Sequence, residues 1–161
     1  MTVGIGSVGV AAVMVGMGPV SRHEVVEAAR HGAPVVLAPD ALAALTATRA
    51  RIEALAVADH PVYGVSTGFG ALATRHIPTD RRADLQRSLI RSHAAGSGPE
   101  VEREVVRAMM LLRLSTLATG RTGVRPVVAE TYAALLNANL TPVVHEYGSL
   151  GCSGDLAPLA H

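Results

Sequence analysis

Between Pro99 and Gly120 runs a helical pattern in which Met109, Leu112, Leu117 and their neighbours leave the helix apolar on most sides. Such a helix needs neighbours on several faces, so it predicts a buried member of a helical bundle. Pro99 is a favoured first helical position and Gly120 a natural stop. The rest of the chain offers partners. Ser21 and Glu24 form a capping box opening a helix that ends just before Gly32. A second helix is expected from Asp40 through Val57, broken by His60-Pro61. A third runs from Thr79 or Asp80 to His93, and a fifth from Pro126 to about Asn137. Val35–Leu37, between two prolines, and the segment after Thr141 read as extended, with helix resuming after Asp155. The fold class is mainly α, with short extended segments near the N-terminus and ahead of the glycine-rich stretch at Gly148.

Composition removes several function classes. At 161 residues and 49% hydrophobic, the chain can bury a core as one domain. A net charge of +1 leaves no electrostatic footprint for nucleic acid or an anionic membrane. Four aromatics, Tyr63, Phe69, Tyr132 and Tyr147, make no platform for stacked bases. Cys152 is the single cysteine, so no disulfide forms within the chain. All 14 basic residues are arginine, so neither a Schiff-base lysine nor a P-loop lysine is present. Any electrophile for amine chemistry must have another source. His23, His31, His60, His76 and His145 lack metal-ligand spacing, so no metal site is expected.

The uncharged run Val3–Val20 has the length of a membrane span but is diluted by five glycines and Pro19. With no basic residue ahead of it, a short strand or hairpin is the better expectation. Its G-x-G-x-x-G, from Gly4 to Gly9, lacks the strand–turn–helix setting of a dinucleotide site and reads as coincidence.

Three glycine-punctuated stretches remain: Tyr63–Gly70, Ser92–Gly96 and Gly148–His161. Loops on a rigid helical scaffold are where sites usually lie. Each also has a plain structural reading. Tyr63 reads as a half-buried tyrosine with a satisfied hydroxyl, and His93 as a histidine favourable at a helix C-terminus. GSLGCSGDLAP reads as a turn into an Asp-capped helix. A Cys152 nucleophile would need a base, for which His145 and His161 are only nominal candidates.

The run G-S-L-G-C-S-G-D-L-A-P-L-A-H, from Gly148 to His161, resembles the signature of the aromatic amino-acid ammonia-lyases and aminomutases. VYGVSTGFG and LIRSHAAG match two further motifs of that family in the same order, and the similarity extends from about Ser21 to the end. The resemblance implies that Cys152-Ser153-Gly154 cyclises into 4-methylidene-imidazol-5-one, with no external cofactor. Ring closure takes the Gly154 nitrogen onto the carbonyl of residue 152, an approach that glycine leaves unobstructed. Loss of the Ser153 hydroxyl then leaves a methylene electrophile, and only the backbone of Cys152 enters the ring. The resemblance casts Tyr63 as the base for the β-proton, although tyrosine's ordinary pKa is about 10. It sets His93 against the substrate ring and gives Asp155 a part in orienting the triplet.

Ser92-His93 resembles the version found in the histidine ammonia-lyases, which implies conversion of L-histidine to trans-urocanate in histidine catabolism. A tyrosine or phenylalanine ammonia-lyase or an aminomutase is the alternative within the family. The resemblance further implies a cytoplasmic homotetramer whose sites combine residues of several subunits. Residues 1–161 then form one N-terminal, triplet-bearing segment, cut before the central helical bundle. An inactive fragment or interaction module is the alternative if these residues are the whole product.

Overall fold

The computed structural model describes residues 11–151 and 155–161; the Gly4–Gly9 run and the Cys152-Ser153-Gly154 triplet lie outside them. Strand β1 (Val13–Val15) comes from the uncharged N-terminal run and pairs in parallel with β2 (Val35–Leu37), Val13 opposite Val35. Helix α1 (Arg22–Ala29) connects them, and Ser21 caps it as expected. The Ser21 hydroxyl accepts the Glu24 N–H at 3.2 Å, while the Ser21 N–H donates to Glu24 Oε2 at 2.7 Å. So short a parallel pair persists only when covered. Val13, Val15 and Val35 are buried, and the Asn137 side-chain amide completes the open edge of β2. It accepts the Val35 N–H at 2.8 Å and donates to the Val35 carbonyl at 2.9 Å, doing the work of a third strand.

Helix α2 (Pro39–Ala56) carries Pro39 in its first turn, where a missing N–H costs nothing. After a 3₁₀ turn at Thr79–Arg81, α3 (Arg82–His93) follows. Then come β3 (Ser97–Glu100), α4 (Arg103–Ala118), α5 (Pro126–Asn137), β4 (His145–Tyr147) and the short α6 (Leu156–Ala160). Helix α4 lies at the centre, packed against α1, α2 and α5. Met110, Leu111, Leu114 and Leu117 are buried there, each worth about 2 kcal/mol in transfer from water. Gly120 ends the helix at φ +68°, and a Cβ there would meet the Ala44 Cβ at 2.6 Å and its carbonyl carbon at 3.0 Å. Close contact with α2 therefore demands glycine at that turn.

Two expectations for this helix are corrected. It begins at Arg103, not near Pro99, because Ser97–Glu100 joins an antiparallel pair with His145–Tyr147. The register shifts between Ser97 and Glu100, so Pro99 sits where a missing N–H leaves no gap in the ladder. Nor is the helix buried all round: Val105 is 49% exposed and Leu112 is 50% exposed. The flanking loop Val62–Pro78 is knitted from within. The Ser66 and Thr67 side chains are buried and accept the backbone N–H groups of Val62 and Gly64.

Candidate functional site

Two loops meet at the ends of the β3–β4 pair. One carries Ala94–Gly96 out of α3 into β3; the other leaves β4 at Gly148 and returns as α6. Their close approach again selects glycine. A Cβ on Gly148 would lie 3.3 Å from the Gly96 Cα and 3.1 Å from the Ala157 Cβ. The Gly96 N–H donates to His161 Nε2 at 2.8 Å, tying the first loop to the end of α6. Between them opens a cleft of about 450 Å³, lined by His93, Ser97, Tyr147, Gly148, Leu150 and Leu156. Its lining includes residues that precede the triplet in sequence and residues that follow it.

His93, the last residue of α3, lines this cleft. Its Nδ1 stands 2.8 Å from the Leu89 carbonyl and 2.9 Å from Ser92 Oγ. Since Ser92 Oγ also donates to that carbonyl, Nδ1–H is the donor these acceptors require. In the neutral ring, Nε2 is then the remaining acceptor. The helix C-terminus does receive His93 favourably, as the plain structural reading holds, and its ring is fixed at the cleft wall as well.

Asp155 stands just beyond the triplet at φ +38° and ψ 63°, a left-handed conformation uncommon outside glycine. It occupies the N-cap position of α6 without capping it. Its carboxylate instead accepts from the Ser149 hydroxyl, across the base of the loop. Gly151, just before the triplet, is also left-handed at φ +68°. A backbone that turns on both sides of the triplet, with its base tied, is the setting in which an amide can reach a carbonyl two residues back. The described residues thus fit a cyclised triplet.

Tyr63 does not line this cleft. It is 64% exposed, not half-buried, because it lies on the outer turn of the Val62–Pro78 loop. Its ring meets Phe69 edge-on at 5.8 Å, and its hydroxyl oxygen accepts the Gly70 N–H at 3.5 Å. The structure therefore sets His93 in one cleft with residues of both arms of the triplet loop, places Asp155 at the foot of the second arm, and leaves Tyr63 outside that cleft. Sequence reasoning passed over Ser149 and gave His161 only a nominal place. The signal for Ser149 was a serine six residues ahead of the aspartate in a glycine-rich turn. Among the described residues, no group of three His, Cys, Asp or Glu side chains gathers as metal ligands. No described helix is long and apolar enough to cross a membrane.

The model of the aromatic amino acid lyase family matches residues 20–161. A histidine ammonia-lyase of Streptomyces griseus is 65% identical over 149 residues, covering 92% of this chain and 29% of that protein. The tyrosine aminomutase of Streptomyces globisporus superposes with a TM-score of 0.87 at 36% identity, over 94% of this chain and 28% of that one. The ergothionase of Treponema denticola gives 0.89 at 31% identity, over 93% of this chain and 30% of that one. The chain spans under a third of the length of these relatives. With its helical fold, its motif-bearing loops and a family match over nearly its whole length, the chain belongs to the aromatic amino acid lyase family.

Proposed function

We propose that a full-length protein carrying this chain is an ammonia-lyase that converts L-histidine to trans-urocanate and ammonia. The observation that carries this reading is His93 in one cleft with both arms of the triplet loop. The 65% identity to a protein named histidine ammonia-lyase supports the choice of substrate. Cys152, Ser153 and Gly154 would form the 4-methylidene-imidazol-5-one group, which supplies a methylene electrophile toward the substrate amine. With Nδ1–H committed to the Leu89 carbonyl, His93 Nε2 can accept the N–H of a substrate imidazole. Leu150 and Leu156 add apolar side chains to the rim of the same cleft. Asp155 holds the loop base.

Tyr63 is the base for the β-proton in this reading, with the Gly70 N–H directed at its hydroxyl oxygen. Its place outside the cleft supports a role at the site of a neighbouring subunit, as in a homotetramer. The cytoplasm is the compartment proposed.

The test is ammonia release by the full-length protein from histidine, tyrosine and phenylalanine side by side. Histidine should be turned over in preference, and the peptide Gly148–His161 should be two waters light. Preference for tyrosine would sink the histidine assignment, and β-tyrosine as product would favour the aminomutase alternative.

A further inference from the structure

Ser149 plays no part in the chemistry above, yet its side chain touches both arms of the triplet loop. Its hydroxyl donates to Asp155 Oδ1, and its oxygen accepts the Gly151 N–H at 3.2 Å. One hydroxyl thus links the residue just before the triplet to the residue just after it. Asp155 keeps a left-handed backbone that a non-glycine residue holds only when its surroundings impose it. Its carboxylate leaves the α6 backbone uncapped in order to face Ser149. Extended, the chain from Ser149 to Asp155 would span roughly 20 Å; the clasp folds it back on itself.

We propose that Ser149 is a positioning residue for cyclisation of Cys152-Ser153-Gly154, clasping Gly151 and Asp155 so that the loop is closed before the ring forms. The proposal rests on the lyase reading above. The step balances without an oxidant or a reductant. A bond forms between the Gly154 nitrogen and the Cys152 carbonyl carbon, and the Gly154 amide proton passes to the former carbonyl oxygen. That oxygen leaves as water with the Ser153 N–H proton. The Ser153 hydroxyl then leaves as a second water with the Ser153 α-proton. Bringing nitrogen to carbonyl costs conformational freedom, and a loop whose ends are already tied has less of it to lose.

The experiment follows mass against time. Full-length wild type and the variants Ser149→Ala, Ser149→Thr and Ser149→Val are made in a short cell-free pulse. The peptide Gly148–His161 is then mapped at intervals. Wild type and Ser149→Thr should lose both waters together. Ser149→Ala should do so about tenfold more slowly, the expected effect of one lost hydrogen bond to a carboxylate. Unmodified and one-water-light peptides should accumulate in it while circular dichroism and thermal unfolding match wild type. Should Ser149→Ala fail to fold, Thr and Val, which share a shape and differ by the hydroxyl, decide between them. Cyclisation of the hydroxyl-free variants at the wild-type rate would overturn the role of Ser149. An unmodified wild-type peptide would overturn the lyase reading itself, and this proposal with it.

Discussion

Arg107, on α4, sits in the core of the described structure at 2% exposure. Its Nη2 donates to the Ala28 carbonyl at 2.8 Å, and its Nε and Nη1 donate to Ala29 and Leu136 at 3.2 Å. Burial holds its guanidinium below the usual arginine value, and nearby Arg103 adds to the effect. The carbonyls at the ends of α1 and α5 repay that cost, since helix C-termini leave such groups without partners. Arg107→Met should therefore lower stability by about 3 kcal/mol, because three buried acceptors lose their donors at once. A denaturation midpoint equal to wild type would refute this. At the cleft, His93→Phe removes the acceptor offered to a substrate imidazole. The kcat/KM for histidine should fall about 10- to 100-fold, with the peptide Gly148–His161 still two waters light. Unchanged histidine turnover would show that His93 does not read the ring.

Elements with a capped or proline-marked start were legible in the sequence. Ser21-Glu24 placed α1, and Pro126 placed α5. The start of α4 was not, because the preference of Pro99 for a first helical turn is outweighed by pairing with His145–Tyr147, distant in sequence. The candidate site followed the same division. Glycines marked all three loops, but only the β3–β4 pair decides that two of them meet, and nothing local tells that Tyr63 stands apart. The Ser21–Glu24 cap and the Arg30–Glu104 ion pair predict a pH response. Glu24 is held below the ordinary carboxylate value of 4.5 by the Ser21 side chain and N–H, and Glu104 chiefly by its bond to Arg30. Groups lowered in the folded state add stability above their ordinary value and lose it as pH falls through the lowered one. The melting temperature should thus drop as pH falls below about 4.5, and less steeply in Ser21→Ala/Glu104→Gln. Equal slopes in the two proteins would remove these carboxylates from the account.

Across the whole molecule, the separation of Tyr63 from the cleft gives the sharpest test of assembly. Tyr63→Phe and Ser153→Ala should each abolish turnover in a uniform full-length protein. Refolded together, they should regain a fraction of wild-type activity through sites that draw one intact residue from each parent. A mixture as dead as its parents would place Tyr63 in its own subunit or remove it from catalysis. The exposed Val105 and Leu112 on α4 bear on the chain alone. At 161 residues it should self-associate, and a monodisperse monomer by light scattering would contradict that. The β3–β4 pair has a consequence in time. Ser97 meets Tyr147 with all of α4 and α5 between them in sequence, so the cleft closes only once the chain through Tyr147 has been made, and a contact this non-local is slow to form. The covalent ring proposed above, closed in that setting, would be a permanent mark of a passed checkpoint. Chains later unfolded would keep it, and the two-water deficit would count every molecule that had once reached its native topology.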